Sequence, residues 1–573
     1  MERNGDSNRL TKRDRVRLLL LLALGAVGLV VGLRLFPSVF PEATIRFEVD
    51  RAASRAIAEE WLRGHGFDVA ESRHAAAFVY EDTAKVFLER ELGLEEMNRV
   101  VSTTAKIWSW SHRWFRPLQK EEFRVDVSPG GELIGFTHLL PDSAPGASLS
   151  EEEALVLAER FLREHRPEEV AGLRLLGATA KKLDARTDHR FTWERTDVDW
   201  QGGKYRYAVT IRGGRIGGYD EHVHVPETWS RGYNRLRSSN TLAGAVASVF
   251  MVFTILVMLV VLFAQARRKR IRWRFANGLG LIGGILVLLA GLNSLPQALY
   301  RYDTTASFGG FLAESLIGTF LTALGAGLLI VIVVAAGENR YRAAYPGKLS
   351  LPGVFTWRGI RTKEFLFSAL GGIVLTGLFL AYQTVFYRIA TSLGAWSPAE
   401  VPYDELLNSV FPLAFLLFIG FFPAVSEEFL SRAFSVPFFS RIFRNRWVGI
   451  GLASAIWAFG HSAYPNQPFY IRGLELLIAG ALISVVMIRF NLLTLLIWHY
   501  TVDATYSGYL LFRSGNPYYV ASAAVAGGIF LLPLVVALIA YWRTGRFADP
   551  DTLRHDRQPE PEEPVSEPAP AAP

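Results

Sequence analysis

The chain is predicted to be an α-helical polytopic membrane protein of about ten spans, carrying a non-cytoplasmic α+β insert made of two repeated units. Half of its 573 residues are apolar, with 39 Phe and 14 Trp, and several uninterrupted apolar runs are long enough to cross a bilayer. Lys and Arg cluster beside those runs, which accounts for the formal charge of +7 without a nucleic-acid partner. A polar stretch over residues 41–240 alternates with period two around Gly-Gly pairs, as strands and hairpins do.

The elements follow in order. Arg9, Lys12, Arg13, Arg15 and Arg17 precede an apolar run from Leu18 to Phe36, so residues 1–40 read as a cytoplasmic N-terminus and a retained anchor. The next span, Thr241–Ala264, ends at RRKRIRWR (Arg267–Arg274), a second cytoplasmic marker. Further apolar runs near 275–298 and 309–336 complete a segment over 241–364 whose last loop is again basic. Runs near 365–388, 408–430, 447–463, 473–489, 491–512 and 519–542 form a segment over 365–545. Both termini then face the cytoplasm of a multi-pass protein of a cell membrane, expected to be a bacterial inner membrane. The tail over 546–573 is rich in Pro, Glu and Ala and is expected to be disordered. The absence of cysteine excludes disulfides, thiolate metal ligands and a cysteine nucleophile.

Within the insert, a helix near Ala52–Gly64 leads to the strands of Glu122–Leu139, and a capped helix, Ser148–His165, leads to Lys204–Val225. HRWF (His112–Phe115) and HRFTW (His189–Trp193) each precede a hairpin turning at Gly130–Gly131 or Gly213–Gly214. The duplicated unit resembles the small regulatory modules of the PepSY type, which implies a possible extracytoplasmic ligand. His222 and His224 share a strand face, but with no third ligand at motif spacing they read as two surface histidines.

Three fragments place ionisable groups where lipid should exclude them. SEEFLSR carries Glu427, Glu428 and Arg432; WAFGHSAYP carries His461; IWHYTVDATY carries His499 and Asp503. Residues at i and i+4 share a helix face, so Glu428 can pair with Arg432, and His499 with Asp503. Glu427, turned by about 100° from Glu428, is left without a partner on its own helix. Counted from the nearest basic or polar turn at about 1.5 Å per residue, Glu427 and His461 lie roughly 21–22 Å deep, and His499 and Asp503 roughly 12–18 Å. For Glu427 the path passes Pro437, a predicted break that would shorten it. Taken singly, each residue has a plain reading, a carboxylate at a helix end or a satisfied core histidine; their common depth on alternating spans is what joins them.

The set EExxxR, then an aromatic residue four before His, then HxxxD, resembles the CPBP intramembrane proteases, which include the type II CAAX prenyl endopeptidases. EExxxR is met at Glu427, Glu428 and Arg432; Trp457 stands before His461 where Phe is usual; His499 and Asp503 supply the third motif. The resemblance covers roughly 365–542 and leaves the first four spans and the insert unassigned. It implies hydrolysis of peptide bonds in membrane-associated proteins or peptides. Glu427 would be the base for a water positioned by His461, His499 and Asp503 would stabilise the oxyanion or hold a metal, and Glu428 with Arg432 would support the site. The family is described both as metal-dependent and as glutamate-dependent. Asp503 suits a divalent ion, expected to be zinc, held by His461, His499 and Asp503, because a carboxylate donates to an oxyanion only when protonated.

Two other classes use the same buried polar groups: an ion- or proton-coupled transporter and a non-catalytic membrane scaffold whose insert binds a partner. A transporter predicts inverted span repeats, and none is legible. GxSxG, GxGD and HExxH motifs are absent from the spans, which disfavours serine, aspartyl and site-2-type intramembrane proteases.

Overall fold

A computed structural model describes residues 8–39, 45, 47–396 and 406–555. Residues 41–44 at the start of the insert, residues 397–405 and the Pro/Glu/Ala-rich tail from 556 lie outside the described residues.

Helix α1 (Lys12–Leu35) begins at Thr11, whose hydroxyl accepts from the Asp14 N–H while Asp14 reaches back to the Thr11 N–H, a capping box. It lies along a later span, Lys363–Ser392. At Gly28 the contact is backbone against backbone, since a Cβ there would stand 2.8 Å from the Gly377 carbonyl. Small residues permit such approach where lipid supplies no hydrophobic drive between helices.

The insert is one eight-stranded antiparallel sheet in the order β1-β2-β3-β4-β8-β7-β6-β5. Its first half is α2 (Arg51–Gly64) with β1 (Arg73–Tyr80), β2 (Trp108–Phe115), β3 (Glu122–Val127) and β4 (Leu133–Leu139). Its second half is α5 (Glu151–His165) with β5 (Leu173–Lys182), β6 (Thr187–Arg195), β7 (Lys204–Arg212) and β8 (Arg215–His224). The two units expected from the sequence are therefore two helix-plus-meander halves joined edge to edge through β4 and β8. HRWF lies on β2 and HRFTW on β6, equivalent strands. The β7–β8 turn is tight because Gly213 and Gly214 both adopt positive φ, +56° and +83°. The halves differ at one point: α3 (Asp82–Leu92) and α4 (Leu94–Thr103) are inserted between β1 and β2.

Every residue of β2 is buried. The helices α2 and α5 cover one face of the sheet, and the short helix α8 (Leu295–Tyr300) with its following turn covers the other face beside β1 and β2. Arg113 binds this cover, donating to the carbonyls of Tyr300 and Tyr302 at 2.8 and 2.7 Å and pairing with Glu122. Asn408, just before the glutamate span, accepts from the Phe78 N–H at 2.7 Å, so the sheet is also tied to the helices that follow. His222 bonds to Asp220 at 2.8 Å as an ordinary strand pair.

Burial holds several insert histidines neutral. His74 and His112, bonded to each other at 3.1 Å, are pushed down to about 4 and about 3, chiefly by desolvation, then by nearby arginines for His74 and by His74 and the arginines for His112. His165 is lowered to about 4 by burial and Arg166. Glu81 moves the other way, raised by burial to about 7. Between about pH 4 and 6.5 the unfolded histidines bind protons that the folded ones do not, so stability falls with falling pH. Glu81, with Asp126 and Glu221, which burial also raises, contributes the opposite slope, three carboxyls against the five lowered histidines His74, His112, His138, His165 and His224. The thermal midpoint of the full-length protein is expected to drop as pH is lowered from 6.5 to 4, and His74→Gln with His112→Gln should flatten that drop. An unchanged slope in the double variant contradicts the assignment.

The remaining helices are α6 (Glu227–Arg267), α7 (Trp273–Asn293), α9 (Phe308–Ala344), α10 (Leu351–Val354) and α11 (Lys363–Ser392). After them come α12 (Pro412–Glu427), a π-helical stretch Glu428–Ser435 and α13 (Val436–Ile442). The chain ends in α14 (Arg446–Gly460), α15 (Ile471–Arg489), α16 (Leu492–Arg513), α17 (Pro517–Gly528) and α18 (Leu531–Thr544). Among the described residues seven helices are long and apolar enough to cross a membrane, or eight if α17 and α18, bent by 53°, form one span. All ten expected runs fall on helices, but α14 and α16 do not meet that standard, so a count of ten is not confirmed. The physical reason is plain for α16: nearly every face is buried against protein, so lipid does not demand an apolar surface of it.

Candidate active site

The glutamate span does not break at Pro437 as the sequence reading expects. Proline has no N–H and its ring crowds the carbonyl four residues earlier. Here the chain widens into π-helix over Glu428–Ser435, and α13 continues the same rod with Pro437 in its first turn. Ser435 marks the wider register by donating from Oγ to the Leu430 carbonyl, five residues back, at 2.8 Å. The widened stretch presses on α9: a Cβ at Gly337 would stand 2.7 Å from the Phe429 carbonyl.

This segment presents its two carboxylates to different partners. Glu428 is fully buried and accepts from Arg432 Nη1 at 3.2 Å, the expected i,i+4 pair. It also holds His499 Nδ1 at 2.8 Å, so it joins two elements. A carboxylate can only accept here, which assigns the proton to Nδ1. Glu427, turned away, is about one-third exposed and faces His499 Nε2 at 3.9 Å. Asp503, one turn beyond His499 on α16, lies 3.5 Å from the same nitrogen. His499 is thus held from one side by Glu428 and looks out between Glu427 and Asp503.

Trp457 is the residue that sequence reasoning undervalued. It marks the second motif only as a substitute for Phe, yet its indole Nε1 donates to Glu427 Oε2 at 2.5 Å. Its ring also carries the Arg432 guanidinium 3.8 Å above its centre. One turn later, His461 closes the end of α14, with Nδ1 bonded to the Trp457 carbonyl at 2.8 Å. The usable signal was chemical: Trp offers a donor where Phe offers none.

Close packing fixes the three helices. A Cβ at Gly420 on α12 would stand 2.8 Å from the Tyr500 ring on α16, so the glutamate and histidine helices touch at the position beside His499. Among the described residues no group of three or more His, Asp or Glu side chains is placed to hold a metal ion. His461, His499 and Asp503 do not form a ready-made centre for zinc.

A second buried polar group lies nearby on α11 and α15, and the sequence reading omits it. Glu475 accepts from Arg472 at 2.6 Å, Tyr387 at 2.8 Å and Gln383 at 3.1 Å, and Tyr506 on α16 donates to Gln383. The carboxylate of Glu475 is satisfied by these donors, while Arg472 Nε makes no hydrogen bond, and the group fits a structural lock between α11, α15 and α16.

Comparison with known proteins agrees with this geometry. Residues 409–505 match the family described as type II CAAX prenyl endopeptidase Rce1-like. The chain is also 22% identical over 495 residues to the sporulation-killing factor biosynthesis protein SkfC of Bacillus subtilis (strain 168), covering 84% of this chain and 93% of that protein. No solved structure matches. The paired glutamates, Trp457 with His461, and His499 with Asp503 all lie inside the matched residues, so over 409–505 this membrane protein is similar to the Rce1-like type II CAAX prenyl endopeptidases at every position of the site.

Proposed function

We propose that the chain is an intramembrane endopeptidase that hydrolyses peptide bonds of membrane-associated proteins or peptides, with Glu427 as general base. The observation that carries this reading is the setting of Glu427: one carboxylate oxygen tied to Trp457, the side chain partly open, and His499 and Asp503 facing it. Water bound at Glu427 gives up a proton as its oxygen attacks the carbonyl carbon, and the same carboxyl returns that proton to the leaving nitrogen. His499, oriented by Glu428 through Nδ1 and protonated on Nε2 as well, donates from Nε2 to the negative oxygen of the tetrahedral intermediate, and His461 orients the water. Glu428 and Arg432 hold His499 and Trp457 in place. The insert faces the non-cytoplasmic side, where it meets substrates, and both termini are cytoplasmic. A transporter relay is not favoured, because the family match is to endopeptidases and SkfC is named for a biosynthetic role.

The test compares membrane peptides accumulating with wild type and with Glu427→Ala. Peptides that lengthen or persist only in the variant support the proposal, and identical profiles remove it. Repeating the assay after exhaustive chelation reports separately on metal dependence, and loss of activity there would overturn the metal-free chemistry.

Trp457→Phe supplies the residue usual at that position in the family and removes the indole donor while keeping the ring. A hydrogen bond to a charged group contributes about 1.5–3 kcal/mol, so kcat should fall roughly tenfold to a hundredfold with KM little changed. A variant with unaltered kcat would show that this bond does not position the base.

A further inference from the structure

Where the insert meets the membrane helices, a cavity of about 340 Å³ opens beside α2. Phe47, Trp110 and Leu407 make its apolar walls, while Arg51, His74 and Tyr519 give it polar ones. Ser514, which also lines it, lies eleven residues beyond Asp503, roughly 16 Å along α16, so the cavity is separate from the proposed active site.

The ionisable groups around it are not all paired with one another. Arg51 is half-buried, and among the described residues its guanidinium donates to the Asn408 carbonyl at 3.3 Å and pairs with no carboxylate. Burial works against its charged form. Asp50 lines the cavity too, but its carboxylate caps α2 through the N–H groups of Ala52 and Ala53 at 3.0 and 2.9 Å. Arg55 is held by Glu59 at 2.7 Å. His74 is bonded to His112, and His112 to Ser54 at 3.0 Å, a neutral chain behind the cavity. Among the described residues Arg51 is therefore the lining guanidinium that pairs with no carboxylate, and its planar fork of donors fits one.

We propose that this cavity binds a small monocarboxylate with an apolar side chain, the chemistry of a peptide's C-terminal residue. A phosphate dianion fits less well, since one unpaired arginine faces it and Asp50 stands beside it. The apolar walls supply the site for the side chain. The inference does not depend on the peptidase reading.

The experiment titrates N-acetyl-L-phenylalanine, its amide and inorganic phosphate into the full-length protein in detergent micelles, followed by calorimetry. The acid is expected to bind at least about tenfold more tightly than the amide, as loss of a charge-assisted pair implies. Inorganic phosphate should not displace it, and Arg51→Gln should abolish the preference. Ser514→Phe, which narrows the cavity without touching the charge, should weaken acid binding, so the proposal stays testable if the arginine variant fails to fold. Glu427→Gln should bind the acid as wild type does. Equal binding of acid and amide, displacement by phosphate, or a preference that survives Arg51→Gln would each overturn the proposal, and loss of binding in Glu427→Gln would assign it to the other site.

Discussion

Glu427→Gln should lower peptide cleavage by about 10²–10⁴-fold, the range general-base catalysis supplies, while the protein folds and purifies as wild type does. The substitution is nearly isosteric. The amide oxygen can still accept from Trp457 Nε1, so the position of the side chain survives while its basicity is lost. Glu427 is also the less buried member of the pair and makes no ion pair with Arg432, so the change leaves no buried charge unmatched. Purified protein assayed on a reconstituted membrane peptide gives kcat, and a thermal melt gives stability. Unimpaired kcat would remove Glu427 from the chemistry. A stability loss as large as the activity loss would make its role structural.

Arg432→Met is expected to have the largest effect on stability. It leaves Glu428, fully buried, without its cation, and breaking a buried pair from one side costs about 3–5 kcal/mol. It also removes the guanidinium from the face of Trp457. The double variant Glu428→Gln with Arg432→Met should recover most of the loss, since it leaves no charge unmatched, and the Gln oxygen can still accept from His499 Nδ1. Denaturant titration in micelles gives the difference. A single-variant cost under about 1 kcal/mol would mean that Glu428 is not held as a buried charge.

How much of this was legible beforehand differs by residue. The pairing of Glu428 with Arg432 and the shared face of His499 and Asp503 follow from helical spacing alone, and both pairs are met. The meeting of the glutamate and histidine helices followed from depth. What spacing cannot give is rotation about the helix axis, and so the bond from Glu428 to His499 was invisible, while the indole on Glu427 was announced only by the donor that Trp adds in place of Phe. The π-helical stretch was invisible for a related reason: Pro437 announces that the ladder must fail, but not whether the chain will bend or widen. Glu475 was missed because Arg472 lies only three residues away, which reads as a surface pair. In the insert, the period-two pattern and Gly-Gly turns gave both meanders, yet nothing local reported that they would join through β4 and β8.

The burial of α16 carries a consequence for biogenesis. A segment leaves the translocation channel for lipid on the strength of its own apolar surface, and α16 lacks enough of it. Its Thr, Tyr, His and Asp side chains become tolerable only once α11 and α12 stand on either side. Integration of α16 must therefore be a cooperative, late event that uses helices already inserted as its solvent. A chain truncated after Arg513 should still integrate α16, whereas one lacking α11 should leave it outside the bilayer, open to proteases from the aqueous side. The same polar side chains that arm the site would then make its assembly conditional on the scaffold built before it.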